Sequence, residues 1–231
     1  MMRNSLPLES SNPVYQGQFG EFSITTDDRN GVKLYRTALL IAAICLGIGT
    51  VLTIAAPTIP YGLITALYLL FSLALGAALT LIHIYMKVLH RAIQLCWAIG
   101  TLISIGLAAI AFTEHQSLAY YVAQHPMSLF GIGFTFVALN GIFVKEAVCF
   151  NRLETKFLVA IVPTLLLGHL FGFLSVDVEK TLLEAWSILF LIFALRKCVQ
   201  NIPDDIGDKS VFEYLERAAQ QKKENTHGTA P

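Results

Sequence analysis

Charge is scarce in this sequence. Asp, Glu, Lys and Arg make up 14% of its 231 residues, and 55% are hydrophobic. An ordinary soluble domain is about 25% charged and about 45–50% apolar. No water-soluble fold of this size has interior enough to hide that excess, so lipid must cover part of it. Net charge is lacking as well. Sixteen basic side chains offset sixteen acidic ones, which excludes the clustered basic face that nucleic-acid binding needs. Cysteine is sparse: Cys45, Cys96, Cys149 and Cys198 form no C-x-x-C pair. The chain is also too long for a small disulfide scaffold, and the four read as small buried hydrophobes. No H-E-x-x-H, G-x-S-x-G or P-loop motif occurs, so the balance leans away from an enzyme. Residues 1–33 lack the apolar core of a cleavable signal peptide. The first apolar helix is therefore expected to act as an uncleaved insertion signal.

Long hydrophobic runs are what the sequence has in abundance. A helical span needs about 20 apolar residues to cross about 30 Å of hydrocarbon. Six stretches qualify or come close: Thr37–Ile59, Leu63–Met86, Ala92–Phe112, Leu129–Cys149, Phe157–Leu174 and Thr181–Leu195. The last two are short, and a re-entrant pair is the alternative there. Numbering the gaps alternately sorts the basic residues. Arg3, Arg29, Lys33 and Arg36 precede the first span, and Lys87 and Arg91 follow the second. Lys145, Arg152 and Lys156 surround the fourth gap, and Arg196, Lys197, Lys209, Arg217, Lys222 and Lys223 close the chain. Only Lys180 of the sixteen falls on the other side. The positive-inside bias then predicts an all-α, polytopic bundle of six spans with both termini cytoplasmic.

Three regions follow: a polar cytoplasmic N-tail (1–33), a six-helix membrane domain (34–200) and a cytoplasmic C-tail (201–231). The N-tail admits a hairpin closed at Asn30-Gly31, or a helix capped at Thr25 with Asp27 and Asp28 in its first turn. The helix is preferred because Val32–Arg36 leads directly into the apolar run. In the C-tail, Ser210 and Glu213 have capping-box spacing. Val211, Leu215 and Ala218 share one face, predicting a short amphipathic helix over 210–221 and an unstructured end beyond Lys223.

A strongly polar group inside a span is the first place to seek function. Asn140 and His169 stand out: at 1.5 Å per residue they lie roughly 16 and 12 Å below the outer surface on adjacent helices. A hydrogen bond between them is expected, as a packing clasp or, alternatively, a ligand or ion site. Gly168 and Gly172 form a G-x-x-x-G suited to close helix packing, and Pro163 bends the helix or frees a carbonyl. Nearer the interfaces are His83 and His90, seven residues apart and on one helical face. Lys145 and Glu146 lie within snorkelling reach of the inner headgroups, and Glu184 near the outer surface. His169 has no midplane histidine partner for a bis-histidine haem, and His83, His90 and Cys96 lack metal-ligand spacing. No cofactor or metal is expected.

Two stretches, Gly133-Phe-Thr-Phe-Val-Ala-Leu-Asn-Gly-Ile-Phe-Val-Lys-Glu-Ala-Val-Cys-Phe-Asn-Arg-Leu-Glu-Thr-Lys156 and Ile202-Pro-Asp-Asp-Ile-Gly-Asp-Lys-Ser-Val-Phe-Glu-Tyr-Leu215, resemble an uncharacterised integral-membrane family, a domain of unknown function. The resemblance runs from about Val14 to Leu215. It implies a cyanobacterial setting, plasma or thylakoid membrane, with plastid-bearing relatives, and carries no site residues. Three functions fit. The first is a non-enzymatic assembly or accessory factor whose partners are the lipid bilayer and a membrane complex met through the C-tail. The others are a small channel or transporter lined by Asn140 and His169, and a pigment binder using His169 as single ligand.

Overall fold

The computed structural model describes residues 13–227, so Arg3 and the four residues after His227 lie outside it. A β-hairpin opens the chain: β1 (Val14–Gly17) pairs antiparallel with β2 (Gly20–Ser23), Tyr15 opposite Phe22. The helices are α1 (Thr26–Ala55), α2 (Tyr61–Leu81), α3 (Lys87–Thr113), α4 (Leu118–Gln124), α5 (Leu129–Phe150), α6 (Leu153–Phe171), α7 (Val176–Val199), α8 (Ile202–Ile206) and α9 (Lys209–His227), with a 3₁₀ turn at Pro126–Ser128. They divide into two compact units. One comprises residues up to Val32 together with those from Asn201 onward; the other is Lys33–Gln200.

The larger unit is an all-α bundle whose helices bury one stripe and expose hydrophobic residues elsewhere. In α1 the buried set is Tyr35, Ala38, Leu39, Ala42, Ala43 and Cys45, while Ile41, Ile44, Ile48 and Val51 face outward. This is helical spacing, with lipid rather than water solvating the outer face. Five helices (α1, α2, α3, α5 with its preceding turn, and α6) are long and apolar enough to cross a membrane. α7 is as long as these but carries Asp177, Glu179, Lys180 and Glu184 near its start and Arg196 and Lys197 near its end.

α5 is central, contacting α2, α3 and α6. At Gly100 of α3 an added Cβ would sit 2.4 Å from Thr135 Oγ1 and 2.5 Å from the Thr135 backbone nitrogen. Only the missing side chain lets α3 and α5 approach so closely. Between α5 and α7 the rings of Phe143, Phe190 and Phe193 pack together, Phe143 edge-on to both others at 5.2 and 5.7 Å, an arrangement aromatic quadrupoles favour.

The smaller unit is built from segments nearly two hundred residues apart in sequence. Ile24, Val32 and Ile206 form its core, with Tyr15, Phe22 and Ile202 against them. Asp208 Oδ2 accepts the Gln18 backbone N–H at 2.6 Å, and Ser210 Oγ accepts that of Phe19 at 3.0 Å. Lys209 Nζ donates to Asp28 Oδ2 at 2.8 Å. Thr25 and Asp28 close the helix start reciprocally: the Asp28 N–H donates to Thr25 Oγ1 while Asp28 Oδ2 accepts the Thr25 N–H, a capping box. The N-tail thus contains the expected helix start and also a hairpin, closed at Gly17–Gly20 rather than Asn30-Gly31. α9 continues four residues past Lys223, where an unstructured end was expected.

Candidate functional site

The expected Asn140–His169 pair does not form. Asn140 lies in the middle of α5 and donates through Nδ2 to the carbonyl of Val159 in α6, at 3.4 Å. That carbonyl is available because its helical acceptance would come from residue 163, and Pro163 has no N–H. Asn140 therefore supplies from a neighbouring helix the donor that Pro163 removes, and α6 runs unbroken through the proline.

His169 lies two residues from the end of α6, in its last turn, half-exposed, with Nδ1 3.0 Å from Glu179 Oε1 of α7. The helix runs from Leu153 and stops at Phe171, where the sequence reading ran the span from Phe157 to Leu174. Gly172 takes the left-handed conformation, φ +68°. Its N–H bonds to the His169 carbonyl, and the Phe173 N–H to that of Gly168, at 3.2 and 2.9 Å. These two bonds define a Schellman cap. A Cβ on Gly168 would fall 2.4 Å from Leu174 Cδ1: the space is needed by the chain folding back on its own helix, not by a partner helix. The G-x-x-x-G is thus a helix stop.

His83 and His90 do not share a helix face either. α2 ends at Leu81, His83 lies in the connection, and His90 is in the first turn of α3. His90 Nε2 and Gln94 Nε2 reach back to the Leu79 carbonyl at 2.7 and 3.1 Å, capping an acceptor that the end of α2 leaves open. Glu184 is exposed on α7, eight residues after Val176.

Lys145 and Glu146 are turned into the protein rather than toward headgroups. Glu146 is fully buried between two ammonium groups, Lys145 at 2.8 Å and Lys197 of α7 at 2.9 Å, and Lys197 is itself fully buried. The Phe150 ring lies beneath both, its centroid 5.1 Å from Lys145 Nζ and 4.6 Å from Lys197 Nζ, within cation–π range. Beside them Glu154 of α6 receives Arg196 at 2.9 Å and Arg152 at 3.7 Å. The Gln200 side chain accepts from Arg152, and its carbonyl accepts from Arg36 of α1 at 2.6 Å. One end of the bundle is thereby cross-linked across α1, α5, α6 and α7. Removing one partner from a buried pair costs about 3–5 kcal/mol, since the other charge is left uncompensated.

Sequence reasoning missed Lys197, Arg152, Glu154 and Gln200, reading the basic residues among them as side markers only. A signal existed for Lys197: it extends the buried stripe Trp186, Phe190, Phe193 and Ala194 at helical spacing. The network holds no nucleophile with a paired base. Among the described residues no group of three His, Cys, Asp or Glu could hold a metal ion.

Residues 77–214, well over half of the chain, match the model of a family described as uncharacterized integral membrane protein (DUF2301). The chain belongs to this family. DUF2301 membership makes it an integral membrane protein lying in the lipid bilayer, in accord with the apolar helices. The match spans the end of α2 to the first third of α9 and so includes the whole ion network except Arg36. No curated protein and no solved structure shows significant similarity to the chain.

Proposed function

We propose that this chain crosses the membrane six times with both termini cytoplasmic, and that it serves a larger membrane complex as a non-enzymatic accessory or assembly factor. One observation carries the reading. The hairpin and α9 form a single folded unit through bonds such as Gln18–Asp208 and Phe19–Ser210. A shared fold of this kind supports both segments lying on one side of the bilayer, and with it an even number of crossings in which α7 is the sixth. Charge sorting assigns that side to the cytoplasm, and the family resemblance supports a cyanobacterial membrane. The unit presents apolar surface: Phe19 and Tyr214 stack at 4.1 Å, and both are close to half-exposed. Exposed aromatic pairs of this kind anchor protein contacts. Native-gel migration of the tagged full chain, solubilised from its own membrane, tests the role. The wild type should run in a complex, and Phe19→Ser with Tyr214→Ser should release it while leaving its membrane level unchanged. A wild-type chain that runs only as a free monomer would exclude the role.

A further inference from the structure

Thr50 of α1 is 6% exposed, and its hydroxyl has no hydrogen-bond partner among the described residues. Thr53, one turn on, bonds back to the Gly49 carbonyl at 2.8 Å, the usual outlet for a hydroxyl in an apolar helix; Thr50 makes no such bond. It lines a cleft of about 170 Å³ among α1, α2, α5 and α7, walled by Phe71, Phe136 and Tyr68. Trp186, 2% exposed, packs edge-on against Phe136 at 5.3 Å, and its Nε1–H is likewise without a partner. A second cleft, about 230 Å³, shares Ile64, Tyr68 and Phe136 with the first.

A buried donor without an acceptor costs free energy, and in hydrocarbon no water compensates it. An unpartnered, buried hydroxyl lining an aromatic-walled cleft calls for an acceptor oxygen brought by something apolar. We infer that this cleft binds a hydrophobic molecule of the bilayer bearing a carbonyl oxygen, with Thr50 Oγ1 as the donor to it. Prenylated quinones and acyl esters share that chemistry. The site lies within the bundle and is independent of the terminal unit and its docking role.

Two substitutions separate binding from folding. Thr50→Val keeps the shape and removes the hydroxyl. Gly49→Leu fills the cleft, since a Cβ at Gly49 meets nothing within 4 Å. The purified full chain is titrated with decylbenzoquinone and, separately, with methyl palmitate, and adducts are counted by native mass spectrometry. One saturable adduct per chain is expected. Its affinity should be about 2- to 10-fold weaker in Thr50→Val and lost in Gly49→Leu, with the ligand-free thermal midpoint of Thr50→Val equal to or above the wild type. Saturation by the quinone alone assigns a ring carbonyl; saturation by the ester alone assigns an acyl chain; both together assign the carbonyl as sufficient. The inference is overturned if neither probe saturates, or if both variants bind as the wild type does.

Discussion

Asn140 illustrates how a polar residue is retained in a membrane helix without any reaction to perform. Its amide compensates one carbonyl, that of Val159, which Pro163 leaves without a helical donor. The two residues should be energetically coupled. Asn140→Leu is expected to destabilise the bundle by about 0.6 kcal/mol, typical of a hydrogen bond between membrane helices. In a Pro163→Ala background residue 163 regains its N–H and the cost should fall toward zero. A double-mutant cycle read by denaturant unfolding in detergent measures this coupling; equal costs in both backgrounds would show that Asn140 does not serve the proline gap. At the opposite end of the polarity scale, Glu146 is held by two ammonium groups that themselves lie over the Phe150 ring, so the same α5 carries a weak neutral clasp at its middle and a strong ionic one near its end.

At the scale of elements, Asp208 is the joint between hairpin and α9. Hydrogen bonds from Ser210 and from the Gln18 backbone hold its carboxyl below the ordinary aspartate value of 3.8, against a smaller upward push from burial. A depressed folded value means that its contribution is present above pH 3.8 and is lost as pH falls through the folded value. Protection of the Gln18 and Phe19 amides, measured against their intrinsic exchange rates, should therefore hold at pH 5 and above and fall only as pH drops below 3.8. Asp208→Asn should remove that dependence; unchanged exchange across the range would count against the joint. This contact also shows where sequence reading stops. Most apolar spans and the Thr25 helix start were legible because periodicity and caps are local; α9 was expected too, but Asp208, not Ser210, accepts the N–H at its start. The end of α6 was not, because Phe173 and Leu174 are as apolar as the helix before them and the stop resides in one backbone angle at Gly172. The hairpin escaped because its partner lies 190 residues away. Asn140 was singled out as a polar residue within a span, but its acceptor, a backbone carbonyl, has no side-chain signature.

For the molecule as a whole, the proposed topology makes opposite demands on two connections. In a chain with its native cysteines replaced, Glu114→Cys should react with a membrane-impermeant maleimide applied to intact cells. Asn151→Cys, between α5 and α6, should react only after lysis. The reverse pattern would invert the orientation, and labelling of both from outside would remove the bundle from the bilayer. The terminal unit, finally, has a consequence for how the protein is made. The hairpin's acceptor at Asp208 is synthesised 190 residues after Gln18, a delay on the order of 10–40 s at ordinary elongation rates. Throughout that interval the nascent N-terminal segment has Ile24 and Val32 without Ile206 to cover them. A chain that stalls before α8 cannot close this unit, and Ile24 and Val32 stay uncovered. Closure of this unit is thereby tied to the synthesis of α8, a latch set by the order in which the chain is made.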